Sequence, residues 1–156
     1  ADTATNSQTS PMLDVVRNLS VSLQFLKLNM NSSDLNDTLN GTASVQALAD
    51  KISSDVTQYA LLLKKNSSCI HLNFIEDKEI HLSNSSVRKL LSEVLSGNLS
   101  NIDLAYISDC LTLGETVSFE NENLEDIIFA LADPEINGGF KKPEEISAIL
   151  QTIGEA

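Results

Sequence analysis

The tripeptide Asn-x-Ser/Thr, the acceptor for N-linked sugar, occurs seven times in 156 residues, at Asn18, Asn31, Asn36, Asn40, Asn66, Asn84 and Asn98. With 14 Asn and 29 Ser or Thr in the chain, chance alone would place roughly 2.6. A sugar needs a solvated asparagine, so the excess points to a secreted or cell-surface protein with these amides facing water. Cys69 and Cys110 fit the same compartment, because an even cysteine count in a secreted chain predicts a disulfide. Closing the loop between them would contribute roughly 3–4 kcal/mol by chain entropy. His71 and His81, with Glu79, could hold Zn²⁺ if two strands brought them together. Histidines on a polar strand face are more often simply solvated.

A second set of oxygen donors lies in residues 133–144, Asp-Pro-Glu-Ile-Asn-Gly-Gly-Phe-Lys-Lys-Pro-Glu. This stretch resembles the EF-hand calcium loop of calmodulin-like proteins, in a degenerate form confined to the C-terminal part of the chain. The resemblance implies that Asp133, Glu135 and Asn137 offer side-chain oxygens, Gly139 its carbonyl and Glu144 a bidentate carboxylate, with Gly138 at the sharp turn. Calcium would be the implied cofactor. The sequence departs from the family pattern in several places. Glu135 is longer than the usual Asp, Lys141 and Lys142 bring positive charge, and Pro143 stiffens the approach to Glu144. The stretch that should hold a partner loop, residues 96–103, ends without a Glu.

Nothing else in the chain marks a reaction centre. There is no Gly-rich phosphate loop and no Gly-x-Ser-x-Gly. Oxidised cysteines could not act as nucleophiles. The formal charge of −12 opposes nucleic-acid binding, which needs a basic stripe, and opposes anionic membrane surfaces. No apolar run approaches the ~20 residues of a membrane span. The hydrophobic fraction of 42% is enough for a core, built from Leu, Ile and Val because aromatics are scarce.

These groups must be held by helices for the most part. Met12, Val15, Val16, Leu19, Leu23, Leu26 and Met30 recur at three- and four-residue steps and predict an amphipathic helix. Residues 31–42 show little periodicity and read as a glycosylated loop. Val45 to Leu63 carries the clearest helical stripe. Ile70-His71-Leu72-Asn73-Phe74 and Ile80-His81-Leu82 alternate apolar and polar residues, which predicts a small β-hairpin near 70–82. Four shorter helical patterns follow, around Leu90, Ile107, Ile127 and Ile149. The last half looks duplicated: Ile80-His81-Leu82 and its helix match Val117-Ser118-Phe119 and its helix at an offset of 37 residues.

The expectation is therefore a mainly α protein. It has a polar arm over residues 1–10, then one helical domain over 11–156. The domain is a compact bundle of about six helices, with two helix-loop-helix units over 80–156. The expected role is a non-enzymatic interaction or assembly protein, with a protein partner or a second copy, no nucleic acid and no membrane insertion. The alternatives are a helical carrier of an apolar ligand such as a lipid, and a helical cytokine-like ligand.

Overall fold

The computed structural model describes residues 28–65, 70 and 72–154. Among these the chain is mainly α, with six helices and four short strands. They run in the order β1 (Leu28–Asn31), α1 (Ser32–Leu39), α2 (Val45–Lys64), β2 (Leu72–Ile75), β3 (Ile80–Leu82), α3 (Asn84–Leu95), α4 (Asn101–Leu113), β4 (Val117–Phe119), α5 (Glu122–Leu131) and α6 (Pro143–Thr152). No helix among the described residues is long and apolar enough to cross a membrane.

The strands form two separate parallel ladders, β1–β2 and β3–β4. Parallel neighbours need a crossover connection, and each ladder has a helix pair for it: α1–α2 between β1 and β2, α3–α4 between β3 and β4. The ladder β3–β4 sets Ile80 against Val117, His81 against Ser118 and Leu82 against Phe119. Every pair is 37 residues apart, so the duplication legible in the sequence is the register of the sheet. Helices α5 and α6 follow β4 as α3 and α4 follow β3.

Three expectations change here. The predicted hairpin over 70–82 is two strands that do not pair with each other; each pairs with a strand from outside that stretch. Their linker is tied outward. The Glu76 carboxylate accepts from the backbone N–H and the hydroxyl of Thr116, both at 2.7 Å. Asp77 accepts from the Ser33 N–H and hydroxyl and from the Ser32 hydroxyl. The expected loop over 31–42 contains α1, whose first turn is held by that same Asp77. The expected first helix does not include Met30, which is buried as a residue of strand β1; the rest of that pattern, with the N-terminal arm, lies outside the described residues.

Helix ends are satisfied locally. Ser44, Ser83, Ser100 and Asn121 each accept a backbone N–H at a helix start, a contribution of about 1 kcal/mol apiece. Ser100 and Asp103 form a capping box, which occupies the stretch where a partner calcium loop would stand. Arg88 donates to the Ile153 carbonyl at 3.0 Å, closing the end of α6 with a cation where the helix dipole favours one. The core between these elements is aliphatic, with Leu35, Ile52, Leu82, Leu91, Leu111 and Ile128 almost fully buried.

Candidate functional site

Helices α2 and α4 run parallel along their contact. Tyr106 of α4 donates to Asp55 of α2 at 3.5 Å, and Tyr59 of α2 donates to Asp109 of α4 through a short hydrogen bond. These pairs lie 51 and 50 residues apart, a constant offset that antiparallel helices could not give. The two tyrosine rings meet edge-on with centroids 5.6 Å apart, a geometry that suits the aromatic quadrupole.

Neither carboxylate has a cation beside it among the described residues. Asp55 also accepts from the Asn29 N–H at 3.1 Å, and Asp109 from the Asp133 N–H at 2.6 Å. Burial raises the pKa of both acids, against the lowering effect of these hydrogen bonds. Burial, reinforced by the carboxylates, raises both phenols. Cys110, fully buried next to Asp109, has its thiol pushed up to about 12 by burial. Cys69 lies outside the described residues, and so does the expected bridge.

Past this polar seam the helices end in an apolar cleft of about 470 Å³. Leu63 of α2, Ile70 and Leu72 form one wall; Asp109, Thr112 and Leu113 of α4 form the next; Phe129 of α5 and the turn from Ala132 to Asn137 complete it. Leu113 is 56% exposed, Phe129 50% and Ile136 79%. Half of the six exposed large apolar side chains among the described residues therefore gather at one opening. Its titratable lining is acidic, from Asp109, Asp133 and Glu135.

Comparison with protein-family models, with curated proteins and with solved structures finds no match for this chain.

The segment 133–144 forms part of this cleft. Asp133 sits at φ 46°, in the left-handed region, which Asp tolerates better than most residues. Asn137 turns its amide back onto α5, donating to the Ala132 carbonyl at 2.5 Å and the Phe129 carbonyl at 3.1 Å. Lys141 donates to the Asn137 carbonyl at 3.1 Å. Gly139 donates its N–H to Pro134 at 2.6 Å. Glu135 is exposed, and Glu144 is exposed in the first turn of α6. No group of three His, Cys, Asp or Glu that could hold a metal ion occurs among the described residues. His81 meets the Ser118 hydroxyl at 2.9 Å; Glu79 is exposed, and His71 lies outside the described residues.

The sugar acceptors are spread unevenly. Asn40 and Asn98 are exposed; Asn31, Asn36 and Asn84 are half-buried; Asn18 and Asn66 lie outside the described residues. Asn84 accepts from the Asn121 amide at 3.1 Å, and Asn98 donates to Glu93 at 2.7 Å.

Sequence reasoning missed Asp55, Asp109 and Tyr106, and saw Tyr59 only as an apolar-face residue. One signal was available. Asp55 falls on the buried stripe of α2, between Ile52 and Tyr59 at helical spacing. An acid on an apolar face needs a donor, and Tyr106 with Asp109 repeats the pairing in reverse order.

Proposed function

We propose that this chain works outside the cell as an N-glycosylated, non-enzymatic interaction or assembly protein. The observation that carries the reading is the open apolar cleft at the ends of α2 and α4, with solvated sugar acceptors elsewhere on the surface. The exposed acceptors Asn40 and Asn98 precede the two helices, and the exposed Leu113, Phe129 and Ile136 surround the cleft where the helices finish. Sugars exclude macromolecular contact near their attachment points. The cleft combines an apolar centre with a polar rim, as protein contact surfaces do. Asp109 sits at the cleft with a raised pKa, but both its oxygens are engaged by Tyr59 and the Asp133 N–H, which suits a structural pair better than an acid–base catalyst.

The apolar-carrier reading draws support from the cleft volume, which lies in the ligand-pocket range. The open rim and the three carboxylates suit a protein face better than an enclosed acyl chain, and native mass spectrometry showing a co-purified lipid would reverse that preference. A cytokine-type bundle needs four long helices. Among the described helices only α2, with 20 residues, is longer than 13.

The deciding experiment is intact mass of native material before and after glycosidase, with site mapping. Sugar is expected at Asn40 and Asn98. A mass equal to that of the bare polypeptide would sink the reading.

We also take residues 133–144 as a connector that closes α5 through Asn137. Asn137→Ala should cost about 1 kcal/mol in denaturant titration, and the thermal melt of the unaltered chain should be the same in Ca²⁺ and in chelator. A melt that rises with Ca²⁺ would instead support the calcium loop.

A further inference from the structure

Charge is spread along this chain as unevenly as exposed apolar surface. Between residues 90 and 140 there are ten Asp or Glu and no Lys, Arg or His. That stretch supplies α4, β4, α5 and the following turn, and with them two of the three walls of the cleft. On α5, Glu122, Glu125, Asp126 and Phe129 are all exposed, and their spacing of three and four residues puts them on one face. An acidic strip therefore leads along α5 to the exposed ring at the cleft. Glu135, exposed beside Ile136, continues it past the helix end. A helix N-terminus favours nearby acids, which accounts for Glu122 and Glu125 in the first turn. It accounts for neither Asp126 nor Glu135. No ion pair among the described residues involves any of the four. Of the cations nearest in sequence to the cleft lining, Lys64 and Lys65 follow Leu63 on the far wall, and Lys141 is held by the Asn137 carbonyl.

This charge discriminates between occupants of the apolar opening. A second copy would set one chain of charge −12 against another, which self-repulsion opposes. Anionic lipid meets the same repulsion. A neutral segment would fill the cleft and leave the acidic strip without a counterpart. A segment with an apolar stripe flanked by Lys or Arg meets both features at once, and such complementarity speeds encounter and fixes orientation.

We propose that the cleft and the acidic face of α5 together dock a basic amphipathic helix of another protein. Its apolar stripe lies against Leu113, Phe129 and Ile136, and its Lys or Arg side chains over Glu125, Asp126 and Glu135. This rests on the reading of the chain as an interaction protein and names the chemistry of the partner. Anchors at three- and four-residue steps on an apolar groove are the usual form of helix recognition. A partner helix of about 14 residues, about 21 Å long, would cover the strip and the cleft mouth.

The probe is a fluorescein-labelled peptide of Leu and Lys, about 14 residues long, with Leu at helical spacing. It is titrated with the full-length glycoprotein and followed by fluorescence anisotropy. Binding is expected, and it should weaken as salt rises. Two pairs of neutralising substitutions share one net charge and differ in place. Glu125→Gln with Asp126→Asn should weaken binding several-fold. Asp37→Asn with Asp50→Asn, on parts of α1 and α2 that do not line the cleft, should leave it unchanged. Phe129→Asp with Ile136→Asp adds negative charge while removing two apolar anchors, and should weaken binding about tenfold or more. Both side chains are exposed, so circular dichroism and a cooperative melt are expected to show the fold intact. Phe129→Ala alone, with a several-fold loss, serves should the double variant unfold.

Unchanged or tighter binding by the cleft variants would mean attraction to bulk charge alone and overturns the proposal. Equal losses from the two neutralised pairs overturn it too, as does the absence of binding. A neutral peptide of Leu and Ser that binds as tightly would keep the cleft as a protein surface and overturn its choice of a basic partner. A dimer in light scattering that the cleft substitutions dissolve would assign the surface to a second copy instead. Failure of the glycoprotein reading would appear in the intact mass and leave the anisotropy unaltered, so the two can fail separately.

Discussion

Replacing Tyr59 with alanine is expected to lower the unfolding free energy by about 3–5 kcal/mol, a large share of the ~5–15 kcal/mol typical of a domain. The ring is fully buried against Tyr106, so its removal leaves a cavity and also strips Asp109 of its phenolic donor. Phenylalanine variants separate the two effects. Tyr59→Phe keeps the ring and deletes the hydroxyl, leaving the half-buried Asp109 with the Asp133 N–H alone; a cost of about 1–3 kcal/mol follows. Tyr106→Phe should cost less than about 1 kcal/mol. Its hydroxyl stands 3.5 Å from Asp55, which keeps the Asn29 N–H as a donor. Urea titration followed by circular dichroism measures all three. Equal losses for the two phenylalanine variants would contradict the assignment of Tyr59 as the residue that holds Asp109.

Much of the scaffold around this seam was legible from hydrophobic spacing. The stripe from Val45 to Leu63 anticipates α2 almost to the residue. The 37-residue offset anticipates the β3–β4 register. Helix α1 was not legible because Ser, Asp, Asn and Thr dominate it, residues that favour turns when isolated. Leu35 supplies the burial, and Asp77, 44 residues away, supplies the cap. Alternation along 70–82 identified which side chains face inward, but the period of two says nothing about which strand lies alongside. The site was less visible still. Pairing Asp55 with Tyr106 and Tyr59 with Asp109 depends on how α2 and α4 slide past each other, a relation that no local window contains. Ile136 falls inside a segment whose oxygens drew attention, while its own exposure exists only in the folded chain.

Acidification from neutral pH is expected to stabilise the protein, with a maximum on the acid side of the more usual range of ~5–8. Asp55 and Asp109 have folded pKa values raised by burial, so the folded state binds their protons more tightly than the unfolded chain does. Between the ordinary carboxylate value and the raised one, the unfolded state holds fewer protons and stability falls as pH rises. Their favourable contribution is complete below the ordinary value and is lost as pH climbs through the folded one. The hydrogen-bonded Glu76 and Asp77 are shifted the other way: they stabilise above the ordinary carboxylate range, and that contribution disappears as pH drops through their lowered folded values. The two windows lie on opposite sides of the ordinary range and do not cancel. The charge of −12 adds self-repulsion that acid relieves, so a rise toward pH 5 alone does not identify the buried pair. Asp109→Asn does. It removes one titrating group from the seam, while the Tyr59 hydroxyl can reverse to accept from the new amide. The neutral limb of a stability-against-pH curve should flatten in this variant and the acid limb should keep its slope. An unchanged neutral limb would mean that Asp109 titrates as an ordinary carboxylate, and the seam between α2 and α4 would then be wetter than its burial indicates.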